Sequence, residues 1–151
     1  MEKPGEICDD GDITDNQGCN FDCSGVMPGW HCSPGNVYNP SVCFEQCDDG
    51  VVTENEECED GNTMNGDGCS TNCLYETGWI CTGAIPDVCT PRCGDGIRRG
   101  TEACDDGVTD ANGCNSACAG ARTGWTCSGG SLTTADICLS TCGDLIKVGT
   151  E

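Results

Sequence analysis

The sequence predicts a tandem, rod-like array of small disulfide-rich repeats, with little regular secondary structure beyond short β-hairpins and turns. Two observations lead to this prediction: the 151-residue chain contains 18 cysteines and 23 glycines, and one cysteine pattern recurs along it. Large apolar side chains are too scarce to build a hydrophobic core. Disulfides can replace such a core, since each closed loop stabilises a fold by roughly 2–4 kcal/mol.

Each repeat contains a Gly-Trp-x-Cys motif, with its tryptophan at Trp30, Trp79 or Trp125. Upstream of this motif lie a Cys-acidic-Asp-Gly tract and then two cysteines four positions apart. The period predicts the segments 1–50 (repeat 1), 51–96 (repeat 2), 97–145 (repeat 3) and 146–151 (the start of a further repeat). Because the chain begins and ends in the same phase of the repeat, we expect it to be part of a longer protein.

The cysteines can be framed in two ways. If each repeat opens at its Cys-acidic-Asp-Gly tract, the cysteines form sets of six, at 8–47, 58–93 and 104–142, and all of them can pair within a set. If a repeat opens at Cys47 or Cys93 instead, two thiols are left over and disulfides join neighbouring segments. The even count favours the first frame. Within a set the connectivity is open, although the variable spacing between Cys81 and Cys89 suits a bridge across the base of a hairpin.

Turns should dominate the local structure, because the many Asn-Gly and Asp-Gly dipeptides favour a positive φ. Runs such as residues 79–81 predict hairpin strands. A single helical turn is expected at residues 69–73, with counterparts at 19–23 and 114–118, where two cysteines would share one helix face. Each tryptophan is expected to pack over a disulfide as the largest apolar contact of its repeat.

The acidic turn of each repeat is the candidate site. Oxygen ligands on alternate residues of a glycine-bent loop suit calcium, which needs about six to eight of them. The candidate ligands are Asp10, Asp12 and Asp15 in repeat 1, Asp60, Asn62, Asn65 and Asp67 in repeat 2, and Asp106, Asp110 and Asn112 in repeat 3. The third loop is one residue shorter and should bind most weakly. The alternative is turn chemistry alone, in which these side chains accept hydrogen bonds from their own backbone.

Composition argues against several classes of function. A net charge of −20 with six Lys and Arg residues is unsuited to nucleic acid, and no apolar stretch is long enough to span a membrane. With one histidine, His31, and all cysteines committed to disulfides, no nucleophile–base pair is available, so we do not expect an enzyme. Paired cysteines indicate an extracellular or cell-surface location. O-linked glycans on Ser or Thr remain open.

The Cys-Gly-Asp-Gly tract at 93–96 and the Cys-Asp-Asp-Gly tract at 104–107 resemble a known cysteine-rich tandem repeat. It occurs in myxobacterial proteins and in a domain of unknown function abundant in ciliates and other protists. The resemblance covers nearly the whole chain, with departures at Asp48 and Leu145, which replace glycines of the motif. It implies a large secreted or surface-anchored protein and no defined activity.

These observations predict a structural protein: a stalk, surface coat or filament whose neighbouring repeats or copies meet end to end, rigidified by calcium where the acidic turns bind it. The alternative is a calcium-dependent adhesion module, or a regulatory binding module, of a larger surface protein. Flanking sequence would separate the two. Further repeats would favour the filament, and a catalytic domain would favour the regulatory module.

Overall fold

The computed structural model describes residues 5–13, 18–110 and 112–149. Within these residues the regular structure consists of short strands, without helices. The strands are β1 (Trp30–Ser33), β2 (Val42–Glu45), β3 (Trp79–Cys81), β4 (Cys89–Pro91), β5 (Trp125–Ser128) and β6 (Ile137–Ser140). They pair as the antiparallel hairpins β1–β2, β3–β4 and β5–β6. The prediction of small disulfide-rich units with short hairpins is therefore confirmed.

Each hairpin is closed by a disulfide between directly opposed residues. The bonds are Cys32–Cys43, Cys81–Cys89 and Cys127–Cys138. Their Cα atoms are 4.0 Å apart in all three. Two-stranded hairpins of three or four residues are marginal by themselves in water, so the cross-link supplies stability that the strands lack. The predicted bridge between Cys81 and Cys89 is confirmed.

Two further kinds of disulfide complete the framework. Cys8–Cys19 and Cys104–Cys114 close the acidic turns, and Cys58 and Cys69 are likewise disulfide-bonded. Longer loops are closed by Cys47–Cys73 and Cys93–Cys118, whose partners are 26 and 25 residues apart. Cys142 is a free, exposed cysteine.

The expectation that each set of six cysteines pairs internally is wrong, because Cys47 and Cys93 bond to cysteines of the following set. The physical reason lies in the backbone around Cys73. Its carbonyl accepts hydrogen bonds from the N–H groups of Glu57 and Cys58, at 2.7 and 3.2 Å. Those bonds hold Cys73 beside the start of its own acidic tract. The carboxylate of Glu59 in turn binds the turn that follows Cys47, which brings the two sulfurs together.

The expected helical turn in each cysteine pair is also wrong. The N–H groups of Cys23 and Cys118 donate to the carbonyls of Asn20 and Asn115, each at 2.9 Å, which closes a tight turn instead. The second cysteine of each pair has a positive φ, with values of 56° at Cys23, 51° at Cys73 and 50° at Cys118. A left-handed residue ends a helix, so the two cysteines of a pair reach different partners.

The buried interior consists mainly of sulfur and carboxylate. Among the described residues, the buried apolar side chains all belong to cysteines, namely Cys8, Cys19, Cys58, Cys69, Cys73, Cys104, Cys114 and Cys118. Glu59 and Asp105 are among the largest fully buried side chains, with 1% and 0% of their surface exposed. Leu, Ile, Val, Phe and Tyr side chains are largely exposed. Cross-links and buried polar contacts therefore replace the hydrophobic core, as the composition predicts.

The chain divides into two compact units. Unit 1 contains the described residues up to Thr63 together with Thr71–Leu74 and Ala84–Asp87, and unit 2 contains the rest. The segment boundaries at 1–50, 51–96, 97–145 and 146–151 stay a prediction. No helix in the described part of the chain is long and apolar enough to cross a membrane.

The tryptophans are half-buried, and the rings of Trp79 and Trp125 pack against glycines. A Cβ atom on Gly100 would lie 3.0 Å from the Trp79 ring and 2.9 Å from Pro91, and one on Gly149 would lie 3.1 Å from the Trp125 ring. A side chain at Gly100 would therefore collide with its neighbours, and one at Gly149 would require the Trp125 ring to shift by a few tenths of an ångström. The prediction that each ring covers a disulfide stays a prediction.

Gly100→Ala should destabilise unit 2 by about 2–3 kcal/mol, because it adds strain at a positive φ of 48° to a collision with Trp79. The measurement is urea unfolding followed by tryptophan fluorescence. Gly129→Ala is the matched control, since Gly129 also has a positive φ, 90°, but an added Cβ there meets nothing within 4 Å. Equal losses in the two variants would contradict the packing role of Gly100.

Candidate functional site

The acidic turns are held together by their own carboxylates. Asp10 accepts the N–H of Cys19 at 2.9 Å, and Asp106 accepts the N–H of Cys114 at 2.9 Å. The other oxygen of each carboxylate accepts the N–H of the residue two positions on, at 3.3 and 3.4 Å. These two residues therefore do what the turn-chemistry alternative predicts: they close the loop and fix its cysteine.

Two of the remaining predicted ligands, Asp60 and Asp110, also accept hydrogen bonds from their own turns. Asp60 accepts the N–H of Asn62 at 3.3 Å, and Asp110 accepts that of Asn112 at 2.6 Å. Asp12 and Asn65 are exposed, whereas one carboxylate oxygen of Asp67, Oδ1, is buried without a hydrogen-bond partner. Asp15 lies outside the described residues.

Convergent ligand atoms lie elsewhere in the described residues. They form four groups of sulfurs from disulfide-bonded cysteines. Two of these groups also contain a carboxylate, that of Glu59 in one and that of Glu102 in the other. Cysteine binds metal as a thiolate, which a sulfur in a disulfide cannot supply. These sulfurs are therefore not metal ligands. Calcium at the acidic turns stays a prediction.

Buried carboxylates beside the long-loop disulfides form a second candidate site. Glu59 in unit 1 accepts the N–H groups of Asp48 and Gly50, at 2.6 and 2.9 Å. Asp105 in unit 2 accepts more hydrogen bonds, and its donors are Gly94 at 2.8 Å, Asp95 at 3.3 Å, Gly96 at 3.0 Å and Gly107 at 2.8 Å. Burying a carboxylate is unfavourable unless hydrogen bonds replace its water. The backbone donors provide that replacement at both places.

The donor turn has a backbone form suited to anions. Residues one and three positions after the cysteine have a positive φ, with values of 69° at Asp48, 83° at Gly50, 87° at Gly94 and 85° at Gly96. Successive N–H groups in such a turn face one side and form a concave site for a negative group. In this chain the protein's own carboxylate occupies that site.

Each carboxylate sits beside a long-loop disulfide. Glu59 Oε1 lies 3.0 Å from the sulfur of Cys73, which is bonded to Cys47. In unit 2 the turn bound by Asp105 begins at Cys93, which is bonded to Cys118. We call these two assemblies, each a disulfide with its carboxylate and donor turn, junction 1 (Cys47, Cys73, Glu59) and junction 2 (Cys93, Cys118, Asp105).

A second acid, in the loop of the adjacent hairpin, supports each junction. The N–H of Glu59 donates to Asp87 at 3.3 Å, and that of Asp105 donates to Asp136 at 2.8 Å. Both supporting acids are buried. Asp136 also accepts hydrogen bonds from Nε and Nη2 of the Arg98 guanidinium. Burial by itself would raise the pKa of Asp136, but Arg98 and the backbone N–H groups hold that pKa below its ordinary value.

This pKa shift makes part of the stability dependent on pH. The ion pair contributes fully above the unfolded pKa of Asp, about 3.9, and is lost as the pH falls through the lower folded value. Arg98→Met should therefore cost about 1–3 kcal/mol at pH 7 and much less at pH 2. Urea unfolding at both pH values measures this, with exposed Arg92→Met as the control. A loss equal at both pH values would contradict the ion-pair role.

Two further glutamates each accept a backbone hydrogen bond in the turn just before their acidic tract. Glu56 accepts the N–H of Thr53 and Glu102 accepts the N–H of Arg99, both at 2.8 Å. In each, the oxygen Oε1 is buried without a hydrogen-bond partner. Burial raises the pKa of both side chains. Each glutamate therefore holds a backbone turn in place, and its burial disfavours the charged form of its own side chain.

The sequence reasoning singled out the second acidic residue of each tract and missed the first. Asp60 and Asp106 were candidate ligands, whereas Glu59 and Asp105 carry the junctions. A signal was present, because Gly94 and Gly96 at alternate positions indicate a turn with repeated positive φ. Such a turn binds anions, and an acid in the same repeat is a natural occupant.

A fold held by disulfides and buried carboxylates, with one junction built twice, defines a tandem cysteine-rich repeat protein. The family described as Domain of unknown function (DUF4215) matches residues 30–74 and again residues 76–119, more than half of the chain. The chain belongs to this family. Neither a curated protein nor a solved structure matches it significantly. The cysteine-rich repeat is confirmed, and the likeness to myxobacterial repeats stays a prediction.

The family match indicates how the cysteines are grouped. Each matched segment runs from a hairpin to the following Cys-x-x-x-Cys turn and contains six cysteines. In residues 76–119 all six pair within the segment, as Cys81–Cys89, Cys93–Cys118 and Cys104–Cys114. A family module therefore contains its own junction.

Proposed function

We propose that this chain is a structural, non-catalytic segment of an extracellular or cell-surface protein, which forms a stalk, coat or filament stabilised by disulfides. The observation that carries the proposal is the repeated junction. Junctions 1 and 2 each combine a covalent link with a buried carboxylate in a backbone turn. A unit that repeats the same link along the chain is suited to an extended array.

The chemistry of the framework supports an extracellular location. Disulfides persist in oxidising environments and are rare in the cytosol. The exposed surface is strongly acidic, with a net charge of −20. Charge of this magnitude keeps neighbouring arrays apart through mutual repulsion. Contacts at the ends of the array are then favoured over contacts between its sides.

Electron microscopy of the native material tests this proposal. We expect elongated particles or filaments whose length increases with the number of repeats. A matched sample treated with reductant and alkylated should lose them, because the junctions are cross-linked. Compact particles of constant size in the untreated sample would contradict the structural role.

One observation favours the calcium-binding alternative, in which the module rigidifies or adheres when calcium is present. The Asp67 carboxylate has a buried oxygen without a hydrogen-bond donor. A cation at this turn would compensate its charge. The same observation supports calcium as a cofactor that stiffens the structural array.

Calcium at 10 mM should raise the melting temperature by a few degrees, since extracellular sites with Kd of about 10⁻⁴–10⁻³ M would add roughly 1.4–2.7 kcal/mol. Differential scanning calorimetry with calcium and then with chelator measures this shift. Asp67→Asn should reduce it, whereas Asp144→Asn, outside the acidic turns, should not. An unchanged melting temperature would rule out the calcium site.

A further inference from the structure

A cleft beside the end of β2, here called the hairpin cleft, is lined by residues 44–47, 55, 56, 63, 71 and 72. All of these residues belong to unit 1, with described chain on both sides of them. The cleft has a volume of about 420 Å³, which lies within the range of small-molecule sites, about 300–1,000 Å³. Cys47 forms part of its wall, and the disulfide to Cys73 holds that wall in place. The hairpin cleft is therefore a preformed concavity.

The lining of the hairpin cleft is largely polar and uncharged. Gln46, Asn55 and Asn72 each carry an amide, which offers both hydrogen-bond donors and an acceptor. The Asn55 amide donates to Glu45 at 2.8 Å, which fixes its orientation. Neither Lys nor Arg lies among the described residues that line the cleft, so an anionic ligand would meet Glu45 and Glu56 without a compensating positive charge. This lining suits a neutral ligand rich in hydroxyl groups.

Glu56 brings to the hairpin cleft a buried acceptor that lacks a donor. The residue is 9% exposed, and its oxygen Oε2 accepts the N–H of Thr53 at 2.8 Å. Its other oxygen, Oε1, is buried without a hydrogen-bond partner. Leaving a buried acceptor without a donor is unfavourable, because the lost contact with water is not replaced. Since Glu56 lines the cleft, a ligand hydroxyl bound there would supply the missing donor.

An exposed aromatic ring also lines the hairpin cleft. Phe44 lies on β2 and is 52% exposed. Its ring packs against that of His31, with the ring centroids 5.0 Å apart, and this contact restricts the orientation of the ring. The face of an aromatic ring carries partial negative charge and attracts C–H bonds that carry partial positive charge. One face of a sugar ring presents such bonds, so Phe44 is suited to stack against a sugar.

The aromatic ring distinguishes the first hairpin from the other two. Phe44 corresponds to Thr90 in β4 and to Leu139 in β6, because each lies three residues before the cysteine that follows its hairpin. Neither of those side chains offers an aromatic face. The disulfide framework is shared by the repeats, whereas the combination of an aromatic ring with polar side chains in a cleft belongs to the first hairpin.

We propose that the hairpin cleft binds a neutral sugar ring, such as a hexopyranose unit of a glycan. The Phe44 ring stacks against the C–H face of the sugar. The amides of Gln46, Asn55 and Asn72 form hydrogen bonds with its hydroxyl groups, and one hydroxyl donates to Oε1 of Glu56. This site goes beyond the proposed structural function and does not rest on it.

A chemical-shift titration of the isotope-labelled 151-residue chain by NMR tests the proposal. The probes are methyl β-D-glucopyranoside, methyl β-D-galactopyranoside and methyl α-D-mannopyranoside, each titrated separately. We expect at least one to bind with a Kd of about 1 mM and to shift the side-chain amide signals of Gln46, Asn55 and Asn72. Phe44→Ala should weaken this binding by about tenfold, and Phe44→Leu, which keeps an apolar side chain without an aromatic face, should weaken it by a similar factor.

Tyr38→Ala is the matched control, because Tyr38 is an aromatic residue in the loop of the same hairpin, is 81% exposed and does not line the cleft. Its Kd should change less than about twofold. Nα-acetyl-lysine methylamide, titrated in the same way, tests for a cationic ligand. No shift with any of the three glycosides, tighter binding of the lysine derivative, or equal weakening in Phe44→Ala and Tyr38→Ala would overturn the sugar site. The proposed structural function is measured separately by electron microscopy and would remain standing.

Discussion

Asp105→Ala should destabilise unit 2 by about 3–5 kcal/mol, which is the scale for removing one side of a buried charged network. The carboxylate is fully buried and accepts four backbone N–H groups, from Gly94, Asp95, Gly96 and Gly107. Truncation leaves these donors without acceptors and opens a cavity beside the disulfide. Urea unfolding at neutral pH measures the loss.

Asp95→Ala is the matched control for this substitution. Asp95 belongs to the same turn and accepts the N–H of Ile97 at 3.0 Å, but it is exposed. Water can replace it, so its removal should cost less than about 1 kcal/mol. Similar losses in the two variants would show that junction 2 depends on turn capping in general and that burial of the Asp105 carboxylate has no special role.

Removing the long-loop disulfide with Cys93→Ser and Cys118→Ser should destabilise unit 2 by about 3.5 kcal/mol. The bond closes a loop of 25 residues, and the loop-entropy contribution increases with loop length. Calorimetry with a free-thiol assay measures the change and confirms that the other cysteines stay oxidised.

The hairpin disulfide Cys127–Cys138 provides the comparison, because it spans only 11 residues in the same unit. Its double serine variant should lose about 2.8 kcal/mol. The junction variant should also become sensitive to protease between residues 94 and 104, since that segment loses its anchor at Cys118. A junction variant that is no less stable and no more sensitive to protease than the hairpin variant would contradict the central place of junction 2.

The two predictions concern the same physical problem. A chain this poor in large apolar side chains cannot offset the entropy of ordering its loops by hydrophobic burial. Disulfides reduce the entropy of the unfolded chain, and buried carboxylates gather several backbone donors at one point. Each junction combines a disulfide and a buried carboxylate at one point of the chain.

The sequence by itself determined the class of fold and the hairpins. Cysteines close to each other in sequence, such as Cys81 and Cys89, can be paired from local spacing because a short loop limits the choices. The turns were predictable for the same reason, since Gly94 and Gly96 report their backbone conformation directly. The family repeat, read from Trp30, Trp79 and Trp125, was also visible without coordinates.

Only the tertiary structure decided which distant cysteines bond and what the acidic tracts do. Cys93 and Cys118 are 25 residues apart, and six cysteines allow fifteen pairings, so spacing could not select this one. The choice depends on the left-handed backbone at Cys118 and on the burial of Asp105 in the turn after Cys93. An acid that closes its own turn and an acid that binds a separate turn earlier in the chain look alike in sequence. They differ in burial, and burial is a property of the assembled fold.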